Sequence, residues 1–372
     1  MTYKDTLFFI GKCLTITHEE ANKADIEKLL QTNTVNWDAV VQVSTAHYVF
    51  PALYLNLQRA GFLHYLPEDL VGYMAHITEV NRERNTQIIA QAKEINTLLR
   101  NNDITPIFLK GTGNLVEGLY PDIAERMVGD IDFIVSKEEY YKTVELLKKD
   151  GYDTVLKEKY HHPHFRHYPR LYKKDGISIA AIEIHKELII EKYASDFNYD
   201  LIIKDVQCIN DVYVLSYANQ LNLTIIANQI NDHGSCYKSI SLRNGYDVFL
   251  LSKRTNTKKA IAIFDKIQKS LNNFLVICNE ALGIIGSIVY YNTEESMTYI
   301  NMFYEYLDND SLRKRHIKNI SRKLFLEKRI MVIVKSFYNK EYRQWLLFKV
   351  TDKNWQQQKL VQLGFKKENK YF

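Results

Sequence analysis

Leu109-Lys110-Gly111-Thr112-Gly113, then Arg126, then Gly129-Asp130-Ile131-Asp132-Phe133-Ile134-Val135 read as the end of a strand, a tight glycine turn, a helix and a second strand. Successive side chains of a strand point to opposite faces. Asp130 and Asp132 therefore share one face, while Ile131 and Phe133 point to the other, where a core needs them. Carboxylates in an otherwise apolar strand are costly without a cation or a hydrogen-bond network. Here they stand beside a turn whose backbone N–H groups open a helix. That combination suits a divalent cation, Mg2+ or alternatively Mn2+, bound to nucleotide phosphates. The plainer alternative is that Asp130 caps the strand or pairs with Arg126, and that Asp132 is similarly satisfied. An Asp-x-Asp alone decides nothing, since the pair Asp308 and Asp310 is explained by a turn or a helix cap.

Working outward, Ile104 to Leu109 is a short apolar strand with Pro106 near its start. Ser136 and Glu139 form a capping-box pattern that introduces a helix from Lys137 to Lys149, closed by Asp150-Gly151. Tyr152–Leu156, Tyr168–Tyr172 and Ile177–Ile184 are expected strands, with Lys174-Asp175-Gly176 as the hairpin turn between the last two. Glu183 lies in a strand whose other residues are mostly apolar. Set beside the Asp130 strand, it supplies a third carboxylate, enough for two ions about 3.5–4 Å apart. The candidate catalytic and metal-binding set is thus Asp130, Asp132 and Glu183. The candidate phosphate-binding set is Lys110, Gly111, Thr112 and Arg126, and it is not a Walker A loop. The rival reading pairs Glu183 with a nearby Lys, and Lys110 and Arg126 with Glu117, Asp122 or Glu125.

The flanks read as helices. Residues 1–102 carry helical apolar spacing at Ile26, Leu29 and Leu30, from Val40 to Leu57, and from Leu70 to Leu99. Residues 188–372 return to helices, broken near Asp232-His233-Gly234 and Asn244-Gly245. The expectation is an α+β protein: a small mixed sheet over residues 103–187, flanked by N-terminal and C-terminal helical regions. Only 14 Gly and 6 Pro in 372 residues agree with few long loops. The four cysteines, Cys13, Cys208, Cys236 and Cys278, show no Cys-x-x-Cys spacing, which argues against a disulfide framework and for a reduced, cytoplasmic setting. No signal peptide is expected, because Asp5 and Lys12 interrupt the N-terminal apolar run. The apolar run Phe274–Tyr291 is interrupted by Asn279 and Glu280, as a buried helix rather than a membrane span.

Charge is unevenly placed. From Ser311 to Phe372 there are 17 Lys and Arg against 4 Asp and Glu, so the preceding residues carry a balance of −8 within the overall +5. A basic end of this kind serves either as a solvated helical face or as a contact for nucleic acid or another anion. His161, His162, His164 and His167 cluster without a Cys or a spaced Asp/Glu set to complete a zinc site, and read as an exposed polar loop beside Arg166 and Arg170; the alternative is that they line the entrance of the site. Arg243 and Asp247, one helical turn apart, are expected to pair.

In this order the residues resemble the polymerase-beta-like nucleotidyltransferase superfamily. The likeness is greatest to its uncharacterised bacterial branch, marked by Leu-Lys-Gly, Tyr-Pro, Arg and Asp-Ile-Asp. The matching residues here are Leu109-Lys110-Gly111, Tyr120-Pro121, Arg126 and Asp130-Ile131-Asp132. Glu183-Ile184-His185 is similar to the acid-x-His strand of that branch. The resemblance is close over about residues 104–186 and looser across the helices on both sides. It implies Mg2+-dependent transfer of a nucleoside monophosphate from an NTP to an acceptor, with release of pyrophosphate. The acceptor is a small molecule, a protein hydroxyl or an RNA end. A retained fold without turnover, acting as a nucleotide-binding regulator or scaffold, is the alternative. Where many members have Gly-Ser close before the first Asp, this chain has Gly111-Thr112 and a longer stretch through Val128.

Overall fold

The computed structural model describes residues 1–154, 165–353 and 355–357. His161, His162 and His164, and the end of the strand expected at Tyr152–Leu156, lie outside the described residues. The chain forms two compact units, Met1–Val155 with Arg166–Arg313, and Leu156–Phe165 with Lys314–Phe372. The described part of the second includes the later turns of the helix Asp310–Tyr338 and the helix Lys340–Thr351.

The first unit is α+β. Its strands are β1 (Ile107–Phe108), β2 (Asp130–Ile134), β3 (Tyr152–Thr154), β4 (Leu171–Lys173), β5 (Ala181–His185), β6 (Gln207–Ile209) and β7 (Val212–Val214). They form one mixed sheet in the order β3-β4-β5-β2-β1-β7-β6. β2 runs antiparallel to β1 and parallel to β5. On one face of this centre lie Ile131, Phe133, Ile182 and Ile184, all 0% exposed. The alternation that makes β2 a strand thus splits it into a core face and an acidic face. β4 and β5 pair antiparallel across Leu171 and Ile182. In the turn before β5, Asp175 accepts from the backbone N–H of Ile177 and Ser178, and Gly176 takes φ +75°.

Two features depart from the sequence reading. β6 and β7 fall in the stretch read as helical, yet they extend the sheet, with β7 parallel to β1. The hairpin turns at Asn210-Asp211, with φ of 49° and 63°, as a two-residue turn with both residues left-handed requires. Three-residue strands leave almost no alternation to read, and Asn-Asp is a fainter mark than Asn-Gly. The helical run from Val40 to Leu57 is two helices, Trp37–Ala46 and Phe50–Ala60, parted where Tyr48 takes φ +56°.

The helix Glu68–Arg100 spans the length expected of it and holds the approach to β2. Its Asn81 side chain donates to the carbonyl of Ala124, and Asn85 to those of Ile123 and Arg126. Arg82 pairs with Asp122. Glu125 is held by Arg59 and by the hydroxyl of Tyr246; burial pushes its carboxyl up from the ordinary value. The apolar run beginning at Phe274 belongs to the buried helix Gln268–Ala281. No helix among the described residues is long and apolar enough to cross a membrane.

Candidate active site

β2 and β5 pair with Asp130 opposite Ala181, Asp132 opposite Glu183, and Ile134 opposite His185. Parallel neighbours in register put their side chains on the same face. Donor atoms of Asp132, Glu183 and His185 consequently lie within 4.8 Å of one another, and all three residues are buried. The His185 Nε2 is 2.8 Å from Asp132 Oδ1 and 3.7 Å from Glu183 Oε2. Its Nδ1 faces the carbonyl of Glu187 at 3.4 Å.

Two cations neutralise these acids. The first, Lys110, sits at the corner between β1 and the helix Lys110–Glu117 with φ +51°. That left-handed corner, costly for a side chain with a Cβ, follows Leu109, whose N–H still donates to the Asp132 carbonyl at 2.9 Å. Lys110 Nζ stands 2.6 Å from Asp132 Oδ1, 3.4 Å from His185 Nε2 and 3.9 Å from Glu183 Oε2. The second is Arg170, whose Nε donates to Glu183 Oε1 at 2.7 Å and whose Nη2 lies 3.0 Å from Asp130 Oδ2.

These neighbours set the protonation states. Burial opposes charge on Asp132, but Lys110 and the hydrogen bond with His185 overcome it and hold the carboxyl well below the usual range. For Asp130, burial together with Glu183 and Asp132 outweighs Arg170, and its pKa rises. Burial, aided by Lys110, lowers that of His185, which keeps the imidazole neutral at pH 7. A neutral imidazole has two forms. With its proton on Nε2 it donates to Asp132; with the proton on Nδ1, toward Glu187, the Nε2 lone pair is free for a cation.

The donor set fits a divalent metal. Carboxylate oxygens suit Mg2+ and Mn2+, and an imidazole nitrogen adds affinity for transition ions. Lys110 already brings one positive charge to the same three donors.

The residues singled out from sequence are placed as follows. Asp132 and Glu183 are side by side. Asp130 is half-buried one strand repeat away and is linked to Glu183 through Arg170. Gly111 and Gly113 lie in the first turn of the helix rather than in a loop before it. The hydroxyl of Thr112 donates to the Asp130 carbonyl at 3.0 Å. Arg126 is 7% exposed, and its Nε lies 3.1 Å from both oxygens of Asp247. The expected pairing of Arg243 with Asp247 is replaced by this one, because Arg126 and the hydroxyl of Tyr120, at 2.7 Å, occupy that carboxylate. Arg170 was readable only as a neighbour of the polar histidine loop and Tyr120 only as part of the Tyr-Pro pair; their pairing with Glu183 and Asp247 was not. His185 was readable, since it stands two residues from Glu183 on the same strand face.

A family model described as uncharacterised nucleotidyltransferase matches residues 33–283. No curated protein and no solved structure matches the chain.

Proposed function

The chain belongs to the uncharacterised nucleotidyltransferase family, and we propose that it moves a nucleoside monophosphate from an NTP to an acceptor hydroxyl, releasing pyrophosphate. The observation that carries this reading is the in-register pairing of Asp132 with Glu183 on adjacent parallel strands, with His185 completing the donor set. In this reading Asp130, Asp132 and Glu183 hold Mg2+ or Mn2+, with His185 positioning Asp132 or joining as a ligand. The metal supplies charge neutralisation for the triphosphate and a means of activating the acceptor oxygen. Lys110, only 2.6 Å from Asp132, exchanges that carboxylate for a phosphate oxygen when substrate arrives. The first N–H groups of the helix Lys110–Glu117 have no carbonyl within the helix to bind; those of Gly111 and Thr112 serve as further phosphate donors. Arg126 is a second positive charge on that side. Positioning and electrostatics, rather than covalent chemistry by the protein, do most of the work.

The test is transfer of label from NTPs carrying it on the α-phosphate, each tried separately with Mg2+ or Mn2+, to a cell extract and to the protein itself. Labelled acceptor is expected with wild type and none with a folded Asp130→Ala/Asp132→Ala variant. Nucleotide binding without any transfer would replace the enzyme with a nucleotide-binding regulator. The engaged hydroxyl of Thr112 is the observation on that side.

A further inference from the structure

Beside the acidic face lies a cavity of about 150 Å3. Four cations line it: Lys110, Arg126, Arg166 and Arg243. They come from four separate places in the first unit: the β1 corner, the approach to β2, the chain before β4, and the helix Leu242–Ser252. Two carboxylates, Asp232 and Asp247, also line it. Asp247 is spent on Arg126 and Tyr120. Burial raises the pKa of Asp232, against the pull of Arg166, Lys110 and Arg243, and it forms no ion pair with any described residue.

Arg166 and Arg243 form no ion pair with any described residue. The Nε of Arg243 is buried and has no hydrogen-bond partner among the described residues; its guanidinium lies 5.0 Å from the centre of the Tyr48 ring. Burial, and then the charge of Arg126, disfavour the charged form of Arg243. A half-buried guanidinium whose buried Nε–H is unmet, close enough to a second guanidinium to feel its charge, is unfavourable unless an anion joins them. The cavity holds roughly five water volumes. That is small beside the roughly 300–1,000 Å3 of sites that enclose whole small molecules, and about right for one or two phosphate groups.

We propose that this pocket binds a phosphate or pyrophosphate group, with Arg166 and Arg243 as its principal donors. The proposal rests on the nucleotidyltransferase reading for what brings the anion there. Either the donor NTP places its terminal phosphates in the pocket, or the acceptor carries a phosphate into it. Lys110 lines the pocket and also touches Asp132. It joins the anion to the acidic site, so phosphate held here lies one side chain away from the reacting centre. Arg166 also lines the pocket; burial disfavours its charged form, with Asp232, Glu183 and Asp132 opposing only in part.

The experiment titrates the full-length protein with inorganic pyrophosphate and, separately, orthophosphate, by calorimetry in EDTA. Removing metal separates this proposal from group transfer: transfer can fail while the anion still binds. Wild type is expected to bind at least one of the anions, with affinity falling as salt rises. Arg243→Gln and Arg166→Gln are each expected to weaken that binding roughly tenfold or more, while Lys269→Gln, at an exposed lysine outside the pocket, leaves it within a fewfold. Arg243→Lys keeps the charge and loses the fork; it is expected to fall between wild type and Arg243→Gln, and it stands in if the Gln variant fails to fold. Displacement of bound NTP by pyrophosphate assigns the pocket to the donor. Anion binding that leaves NTP binding unchanged assigns it to the acceptor. Wild type that binds neither anion below millimolar concentration, or binding equal in wild type and all three Arg variants, overturns the proposal.

Discussion

Asp132, Glu183 and His185 illustrate what single letters can carry. Two acids in apolar strands invite a functional explanation because a buried charge is expensive, and that cost is legible without coordinates. Their cations are not. Arg170 and Lys110 reach the acids through folding of the chain before β4 and of the corner after β1, and no local spacing links residue 110 to 132 or 170 to 183. Remote pairing governs another titratable side chain. His47 accepts the backbone N–H of Leu242 at Nδ1, 3.2 Å away, and its Nε2 lies 3.3 Å from the Tyr3 hydroxyl. Burial pushes its imidazole down to about 4 from 6.5. The unfolded chain therefore takes up a proton below pH 6.5 that the folded chain refuses until about pH 4. The contribution is complete above that window and is lost as pH falls through it, by up to roughly 3 kcal/mol. Urea unfolding from about pH 7 to about pH 4 is expected to show a steeper loss for wild type than for His47→Gln. Equal slopes would mean that the folded imidazole titrates normally.

At the scale of elements, close approach is written in glycine. A Cβ at Gly113 would sit 2.7 Å from the carbonyl oxygen of Phe108, so the first turn of the helix Lys110–Glu117 lies directly on the end of β1. Gly72, in the helix Glu68–Arg100, has nothing within 4 Å of the same position. The two should respond oppositely to alanine. Gly113→Ala forces two backbones apart, costing about 3 kcal/mol against a helix-propensity gain of about 1 kcal/mol. It is expected to lower the urea midpoint, while Gly72→Ala raises stability by up to about 1 kcal/mol. A raised midpoint for Gly113→Ala would mean that the corner yields at little cost. Glycines at 111 and 113 are legible in the sequence as a tight place. That they lie inside the helix is not, because helix propensity argues against it and only the packing on β1 reveals it. The helix Glu68–Arg100 and the strands β2 and β5 follow from periodicity. The hairpin of β6 and β7 does not, since its stability comes from pairing with β1.

For the whole molecule, the division of charge follows the division into units. A chain ending at Arg313 sheds 16 Lys and Arg with 4 Asp and Glu, turning the net charge from +5 to −7. The first unit contains the whole sheet and the acidic site. Such a truncated chain is expected to melt cooperatively and to keep its pyrophosphate binding, while losing any salt-sensitive retention on a polyanion column that the full chain shows. Retention undiminished by the truncation would move the basic contact onto the first unit. The order of strands has a consequence in time as well. β1 sits between β2 and β7, and β7 ends at Val214, more than a hundred residues after Phe108. At about 5–20 residues per second of synthesis, one side of Ile107–Phe108 waits on the order of 5–20 s for its partner. Through that interval the strand leading into Lys110 is an open, apolar edge, and a nascent chain stalled there offers it to any other unpaired strand nearby.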